Sequence, residues 1–138
     1  MNNWKPEYIG IFLTPESRAE LLMKFPAKFN KVNADHVTLI FRPTMQEIGL
    51  YTIGEQVLIP VIGYAEDDKG QAILVDISNT KNKNPHITIS ISDGTKAVYS
   101  NELLEKNIIE KVENFTLNGV IGIFGQDRNI HYSTDGMI

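Results

Sequence analysis

The sequence contains no cysteine, only three histidines and no long hydrophobic run. The absence of cysteine excludes disulfide bonds, thiolate nucleophiles and thiolate metal ligands, and it fits a reducing compartment. No apolar run approaches the roughly 18 residues that a membrane helix needs. The opening segment, MNNWKPEYIG, lacks the charged region and the apolar core of a secretory signal peptide. We therefore expect a cytoplasmic protein that has no membrane partner.

Length and charge narrow the class further. A chain of 138 residues predicts a single domain over 1–138, long enough to bury a real core. Its hydrophobic content of 42% and charged content of 22% are ordinary for a soluble globular protein. A net charge of −4 argues against an extended nucleic-acid surface, because such surfaces are basic. A pocket that binds one phosphate or one RNA end is compatible with this charge.

Alternating apolar residues and turn signals predict an α+β fold with mainly antiparallel strands. Strands are expected over 8–13, 35–42, 55–66, 71–77, 86–92, 115–124 and 128–133. One helix is expected from Pro15 to about Phe25. A second helix is expected after a serine cap at Ser100, with apolar residues at Leu103, Leu104, Ile108 and Val112. Pro60 predicts an edge or a bulge in its strand, because proline cannot donate to a β-ladder.

Two of the three histidines occur in the same local frame inside predicted strands. The frame is His–aliphatic–Thr–aliphatic, found in HVTL from His36 and in HITI from His86. Side chains alternate between the two faces of a strand, so positions i and i+2 point the same way. The pattern predicts two polar faces, one with His36, Thr38, Ile40 and Arg42, and one with His86, Thr88, Ser90 and Ser92.

Two imidazoles and two hydroxyls in one small volume suit phosphodiester hydrolysis by general acid–base catalysis. One histidine takes a proton from the attacking water, and the other gives a proton to the leaving oxygen. Thr38 and Thr88 are expected to hydrogen-bond the non-bridging phosphate oxygens, where negative charge builds in the transition state. His36 and His86 are the expected acid–base pair, with their individual roles left open. This chemistry requires no cofactor and no metal.

Three further residues are candidates for substrate binding. Arg42, at the end of its strand, can add a charge-assisted contact to phosphate, although an exposed strand end is the alternative. Ser90 extends the polar face of its strand and is expected to line the cleft. Tyr8 is a candidate for stacking on a base, which is how single-stranded RNA is usually held.

Each histidine also has a simpler interpretation. His36 and His86 can be strand residues satisfied by their neighbours, with threonines present for β propensity. A metal site would need a third ligand, and no carboxylate shares the His-x-Thr face of either strand. His131 is followed at i+2 by Ser133 rather than threonine, and we expect it to be exposed on the last strand.

HVTL and HITI, 50 positions apart, resemble the paired H-x-T-x motifs that name the 2H phosphoesterases. The resemblance covers most of the chain, through YIGIFL, HVTLIFRP, a glycine-containing hairpin and PHITIS. These local sequences are most similar to the cyclic phosphodiesterase domains of tRNA ligases and related RNA-repair proteins. The resemblance implies a bilobal fold, in which two mainly antiparallel sheets with flanking helices surround a central cleft. It also implies metal-independent opening of cyclic phosphates, commonly at RNA ends, by His36, Thr38, His86 and Thr88.

The expected partner is a nucleotide, an RNA 3′ end or a cyclic oligonucleotide. Small stand-alone members of the superfamily, including phage-encoded ones, resemble enzymes that cut cyclic oligonucleotide signals of antiviral defence. A protein of that kind would act in the host cytosol. A module that binds a nucleotide and sequesters it without cutting is the alternative from another class. A general RNA-binding role is a less favoured hypothesis, because the chain is acidic.

Overall fold

A computed structural model describes residues 3–138, which form nine strands and three helices. The strands are β1 (Pro6–Leu13), β2 (Lys31–Val32), β3 (His36–Phe41), β4 (Gln56–Glu66), β5 (Gly70–Val75), β6 (His86–Ile91), β7 (Glu110–Lys111), β8 (Thr116–Gly125) and β9 (Ile130–His131). The helices are α1 (Pro15–Lys24), α2 (Met45–Ile48) and α3 (Tyr99–Lys106). All of these strand pairs are antiparallel, so the predicted α+β class and pairing are confirmed. In this part of the chain, no helix has the length and apolar character needed to cross a membrane.

The strands follow one hydrogen-bonded path in the order β2-β6-β5-β4-β8-β1-β3, with β7 beside β4 and β9 beside β8. The long strand β4 belongs to both halves of this path. Its first part, 56–60, pairs with β8, and its second part, from Val61, pairs with β5. The two halves are therefore joined through β4 and are not independent sheets.

The two ends of the path meet. β3 lies against β6, and the segment before β3 hydrogen-bonds to β6 directly. The N–H groups of Asn33 and Ala34 each donate at 2.8 Å, to the carbonyls of Ile89 and Thr88 respectively. Ends that meet in this way bring both His-x-Thr motifs to one region of the molecule.

Pro60 lies where β4 changes partner. Its carbonyl accepts a hydrogen bond from the Asp76 N–H at 2.9 Å, and a bulge between Val61 and Gly63 follows in the pairing with β5. Proline lacks the N–H that an uninterrupted ladder needs. The predicted irregularity at Pro60 is thus a change of partner immediately before a bulge.

The hydrophobic core fixes the orientation of both motif strands. Val37 and Ile87, the middle residues of the two motifs, are 0% exposed. Burial of an aliphatic side chain of this size stabilises the fold by about 1.5–3 kcal/mol. Because neighbouring strand residues point to opposite faces, the histidine and threonine on either side of each buried residue turn away from the core.

The second helix predicted from the sequence corresponds to α3, and both its start and its end differ from the prediction. Val98 occupies the N-cap position of α3 without a side-chain cap, and Ser100 lies inside the helix. Ile108, expected on the apolar face of the helix, is instead 96% exposed. The helix ends early because 110–111 pairs as β7 with β4, where Gly63 leaves room for the Ile109 side chain.

Candidate active site

The two His-x-Thr motifs meet at one cavity of about 610 Å³. β3 supplies His36 and Thr38, and β6 supplies His86 and Thr88; all four residues line this cavity. Tyr8 of β1 lines it as well. The structure therefore brings together the four residues that were singled out from the sequence, together with one of the three candidate substrate-binding residues.

The two motif strands have the same register against their neighbours, β1 and β5. In both pairs a bulky apolar residue lies opposite the histidine, and a very small residue lies opposite the threonine. The matched positions are Phe12 and Leu74 opposite His36 and His86, and Gly10 and Ala72 opposite Thr38 and Thr88. Each threonine therefore has a very small residue as its strand partner, and the two halves of the site are alike in register.

A β-bulge follows the threonine in both strands. Leu39 is the extra residue of β3 against β1, and Ile89 is the extra residue of β6 against β5. A bulge bends its strand and changes the side on which later residues project. The strict alternation assumed from the sequence therefore ends at the threonine of each motif.

Because of the bulge in β3, Ile40 and Arg42 do not lie on the face predicted for them. Ile40, expected on the polar face, is 6% exposed in the core, whereas Phe41 is 61% exposed and lines the cavity. Arg42 has a φ of +50°, and its Nε atom lies 3.8 Å from Glu7 Oε1. The structure does not bring Arg42 to the cavity, because the chain has already left the strand there.

Ser90 is also absent from the cavity wall. It is 0% exposed, and its hydroxyl hydrogen-bonds to the Gln71 side chain. The backbone N–H groups of Lys28 and Phe29 donate to the same hydroxyl at 3.3 and 3.2 Å. The position after the bulge in β6 thus serves to anchor the segment that follows α1, rather than to line the cleft.

Asp35 holds the ring of His36 by a hydrogen bond. The Nδ1 atom lies 2.7 Å from Asp35 Oδ1, and an ionised carboxylate can only accept. Nδ1 therefore carries a proton, and Nε2 is the ring nitrogen left for chemistry. This hydrogen bond is the main reason that the pKa of Asp35 lies below its ordinary value. A carboxylate in this position stabilises the positive charge of an imidazolium.

Asp35 was not among the candidates from the sequence. Strand alternation places residues 35 and 36 on opposite faces, which argues against a contact between their side chains. The strand begins only at His36, and the preceding Ala34 has a φ of +54°. That left-handed residue turns the chain so that neighbouring side chains meet. The adjacent Asp and His in ADHV are the only local signal.

His86 is held differently. Its Nδ1 atom lies 2.7 Å from the backbone carbonyl of Asn84, and a carbonyl can only accept, so Nδ1 carries the proton and Nε2 is free. Burial lowers the pKa of His86 below the usual value near 6.5; the Asn84 hydrogen bond opposes this effect, and the charge of His36 acts in the same direction as burial. His86 is therefore the ring that favours the neutral form.

The two threonine hydroxyls have different surroundings. Thr88 Oγ1 lies 2.7 Å from the Ser100 hydroxyl in α3 and 3.4 Å from the carbonyl of Ala97. At Thr38, the hydroxyl of Thr80 donates at 3.3 Å to the backbone carbonyl rather than to the side chain. The two halves of the site therefore have the same register, but among the residues that the structure describes only the Thr88 hydroxyl contacts another side-chain hydroxyl.

Aromatic rings form part of the cavity wall beside His36. The Tyr8 ring stacks on His36, with centroids 5.0 Å apart, and on Phe124, with centroids 5.2 Å apart. Burial raises the pKa of Tyr8, so its phenol stays neutral. Phe41 is exposed, with the Arg42 guanidinium 5.2 Å from its ring centroid. Tyr8 and Phe41, which both line the cavity, are the aromatic rings within reach of a nucleobase bound there.

Polar side chains complete the wall. Lys81 lines the cavity with three amides, those of Asn33, Asn82 and Asn101. The Lys81 side chain forms an ion pair with Glu47 of α2. The Lys81 backbone N–H donates to the Leu39 carbonyl at 3.1 Å. Amides both donate and accept hydrogen bonds, which suits ribose hydroxyls and base edges. Within residues 3–138, no group of three or more His, Cys, Asp or Glu is placed to hold a metal ion.

The third histidine is less exposed than expected. His131 stacks on Trp4 with ring centroids 3.7 Å apart, and its Nε2 atom lies 2.9 Å from Asp127 Oδ2. The Trp4 indole N–H donates at 2.8 Å to the carbonyl of Asp135. His131 therefore joins the two terminal segments and does not line the cavity.

Part of the chain matches a known protein family. The family model described as the fungal tRNA ligase phosphodiesterase domain matches residues 59–124. The matched segment contains His86 and Thr88 and begins after His36 and Thr38. No curated protein matches the chain.

Among solved structures, the crystal structure of a fungal RNA kinase is similar, with a TM-score of 0.55 over 84% of this chain and 16% sequence identity. The chain spans 45% of the length of that structure. At this identity the similarity concerns the fold alone. The fold is thus one that also occurs in an RNA kinase. The family match supports the predicted similarity to the phosphodiesterase domains of tRNA ligases, and it covers the part of the chain that contains HITI.

Proposed function

We propose that this protein is a metal-independent phosphodiesterase that hydrolyses a cyclic phosphate on a nucleotide or at an RNA 3′ end. The observation that carries the proposal is the convergence of His36, Thr38, His86 and Thr88 on one cavity. The match to a domain named for tRNA ligase phosphodiesterases supports this reaction class. A 2′,3′-cyclic phosphate is the leading substrate, and a cyclic oligonucleotide is the alternative.

The two halves of the strand path act as the two lobes of the enzyme in this proposal. One lobe presents the His36 motif beside β1, and the other presents the His86 motif beside β5. In this proposal a histidine and a threonine from each lobe surround the same phosphate, and the shared register of the two motifs supports this arrangement. The cleft between the lobes is the cavity already described.

The surroundings of the two rings support a different role for each. His86 is the general base, because burial favours its neutral form and its Nε2 lone pair is free. His36 is the general acid, because the Asp35 carboxylate stabilises its protonated ring. A matched acid and base of this kind each contribute about 10²–10⁴ to the rate.

The reaction then proceeds in one displacement. His86 Nε2 takes a proton from water as the water oxygen forms a bond to phosphorus. The bond from phosphorus to one ribose oxygen breaks, and that oxygen takes the proton from His36 Nε2. Thr38 and Thr88 donate hydrogen bonds to the non-bridging oxygens as negative charge builds. The product is a phosphomonoester, and proton exchange with solvent restores both rings.

Tyr8 keeps its proposed role in substrate binding, and Phe41 joins it. Both aromatic rings line the cavity on the His36 side, where they can stack on the base attached to the reacting ribose. Arg42 and Ser90 take no part in this proposal, since Arg42 faces Glu7 and Ser90 is bonded within the core.

A substrate panel tests the proposed function. The protein is incubated with 2′,3′-cyclic mononucleotides, RNA ending in a 2′,3′-cyclic phosphate, and cyclic dinucleotides, each with and without EDTA, and products are separated by chromatography. We expect ring opening of the first two substrates and no effect of EDTA. Ligand that is bound but intact would indicate a sequestering module instead. Loss of turnover on chelation would contradict the metal-independent mechanism.

A further inference from the structure

Ser100 is a buried hydroxyl that reaches out of its own helix. It is 1% exposed, and its Oγ atom lies 2.7 Å from Thr88 Oγ1 on β6. A serine inside a helix commonly bonds back to a carbonyl of the preceding turn. Here the side chain instead joins α3 to one of the four residues around the proposed phosphate site.

The neighbouring carbonyl indicates which hydroxyl donates. Each hydroxyl has one proton, and Thr88 Oγ1 also lies 3.4 Å from the carbonyl of Ala97, which can only accept. If Ser100 donates to Thr88, the Thr88 proton is left for this carbonyl. In the reverse order, Thr88 would spend its proton on Ser100 and have none for a ligand.

The long bond to Ala97 makes the Thr88 proton easy to redirect. A separation of 3.4 Å is near the limit for a hydrogen bond between oxygen atoms, so the contact is weak. A phosphate oxygen is charged and accepts a much stronger hydrogen bond. A hydroxyl that already accepts a bond from another hydroxyl also becomes a better donor.

We propose that Ser100 is a positioning residue of the active site, which donates to Thr88 and thereby directs the Thr88 hydroxyl proton at a non-bridging phosphate oxygen. This inference rests on the proposed function, since it requires a phosphate in the cavity. It makes the two threonines unequal, because Thr80 contacts the backbone of Thr38 and not its hydroxyl. Thr88 is the stronger donor of the pair.

A double-mutant cycle tests this relay, in which Ser100 donates to Thr88 and Thr88 donates to phosphate. Thr88→Val removes the hydroxyl that contacts phosphate, and kcat should fall by about 10²–10³-fold, as for loss of one oxyanion donor. Ser100→Ala should lower kcat by about 10-fold, with a smaller change in KM, because the lost bond orients a donor used in the transition state. The double variant should be no slower than Thr88→Val, since Ser100 acts only through Thr88.

Two controls come from the same chain. Thr38→Val combined with Ser100→Ala should give the product of the two single effects, because these side chains belong to different halves of the site. Ser17→Ala removes another serine that is 1% exposed, which does not line the cavity and whose hydroxyl accepts from the Asn118 N–H at 2.7 Å. Ser17→Ala should match the thermal destabilisation of Ser100→Ala and leave kcat unchanged.

The outcomes separate this inference from the proposed function. If the wild type is active, an unchanged kcat in Ser100→Ala overturns the relay but not the proposed function. Additive effects of Ser100→Ala and Thr88→Val would overturn it in the same way. If the wild type cuts no substrate, the same cycle is measured on the dissociation constant of adenosine 2′-monophosphate. Non-additive weakening would then support the relay in a binding site, whereas additive weakening or absence of binding would overturn it.

Discussion

Replacement of Asp35 by asparagine removes the charge beside His36 but keeps an oxygen that can accept the Nδ1–H hydrogen bond. In the proposed mechanism, His36 must carry a proton on Nε2 to serve as the acid. The Asp35 carboxylate stabilises that protonated form across a separation of 2.7 Å. Without the charge, the protonated ring loses a favourable electrostatic interaction, so kcat/KM should fall.

The size of the loss follows from the exposure of the pair. The His36 and Asp35 side chains are 23% and 56% exposed, and solvent-exposed ion pairs contribute about 0.2–1 kcal/mol. A tenfold change in rate corresponds to about 1.4 kcal/mol, so Asp35→Asn should lower kcat/KM by no more than about 5-fold.

The assay is kcat/KM at one fixed pH for the wild type, Asp35→Asn and Asp35→Ala. Asparagine separates charge from orientation, because alanine removes both. We expect Asp35→Ala to be slower than Asp35→Asn, since its His36 ring is free to turn. Wild-type kcat/KM in both variants would refute the role of Asp35 in supporting His36 as the acid.

Two further predictions concern His86 and the aromatic wall. Because burial lowers the pKa of His86 below 6.5, the unfolded chain takes up this proton first as the pH falls. The free energy of unfolding should therefore decrease below about pH 6.5, and by less in His86→Gln, in urea titrations across that range; equal slopes would contradict the buried neutral ring. Phe41→Ala should raise KM by about 10-fold or more, since base stacking contributes roughly 1–3 kcal/mol. Leu58→Ala, which truncates a similarly exposed apolar residue of β4 outside the cavity wall, is its control and should leave KM unchanged; equal effects would contradict the role of Phe41 in the cavity wall.

The local pattern of each motif was enough to predict how its own residues are arranged. Val37 is buried between His36 and Thr38, and Ile87 is buried between His86 and Thr88. Alternation is a property of the extended backbone, so it holds wherever the strand is regular. The approach of β3 to β6 was expected from the paired motifs, and the ends of the strand path provide it.

The errors began where the pairing with a distant strand changes the backbone. The bulges at Leu39 and Ile89 arise from the register against β1 and β5, and no local residue marks them. They account for the misplacement of Arg42 and Ser90 and for the omission of Phe41. Tertiary pairing of this kind is invisible to a rule based on alternation alone.

The short elements were missed for a related reason. Strands of two residues, such as β2 and β7, exist only through their partners β6 and β4. The helix α2 did have a local signal, the capping box formed by Thr44 and Glu47 in TMQE. Ser100 carries the same kind of local signal, that of a serine helix cap, but α3 packs against β5 and brings the Ser100 hydroxyl to 2.7 Å from Thr88 of β6.

The central claim is that His36 and His86 act together on one phosphate. The measurement that tests it most directly is kcat on RNA ending in a 2′,3′-cyclic phosphate, for His36→Ala, His86→Ala and the double variant. Each single variant should be slower by about 10²–10⁴-fold, and the double variant should be much less impaired than the product of the two effects. His131→Gln, whose ring contacts Trp4 and Asp127 outside the cavity, should retain full turnover. Wild-type turnover in either His36→Ala or His86→Ala would contradict the account.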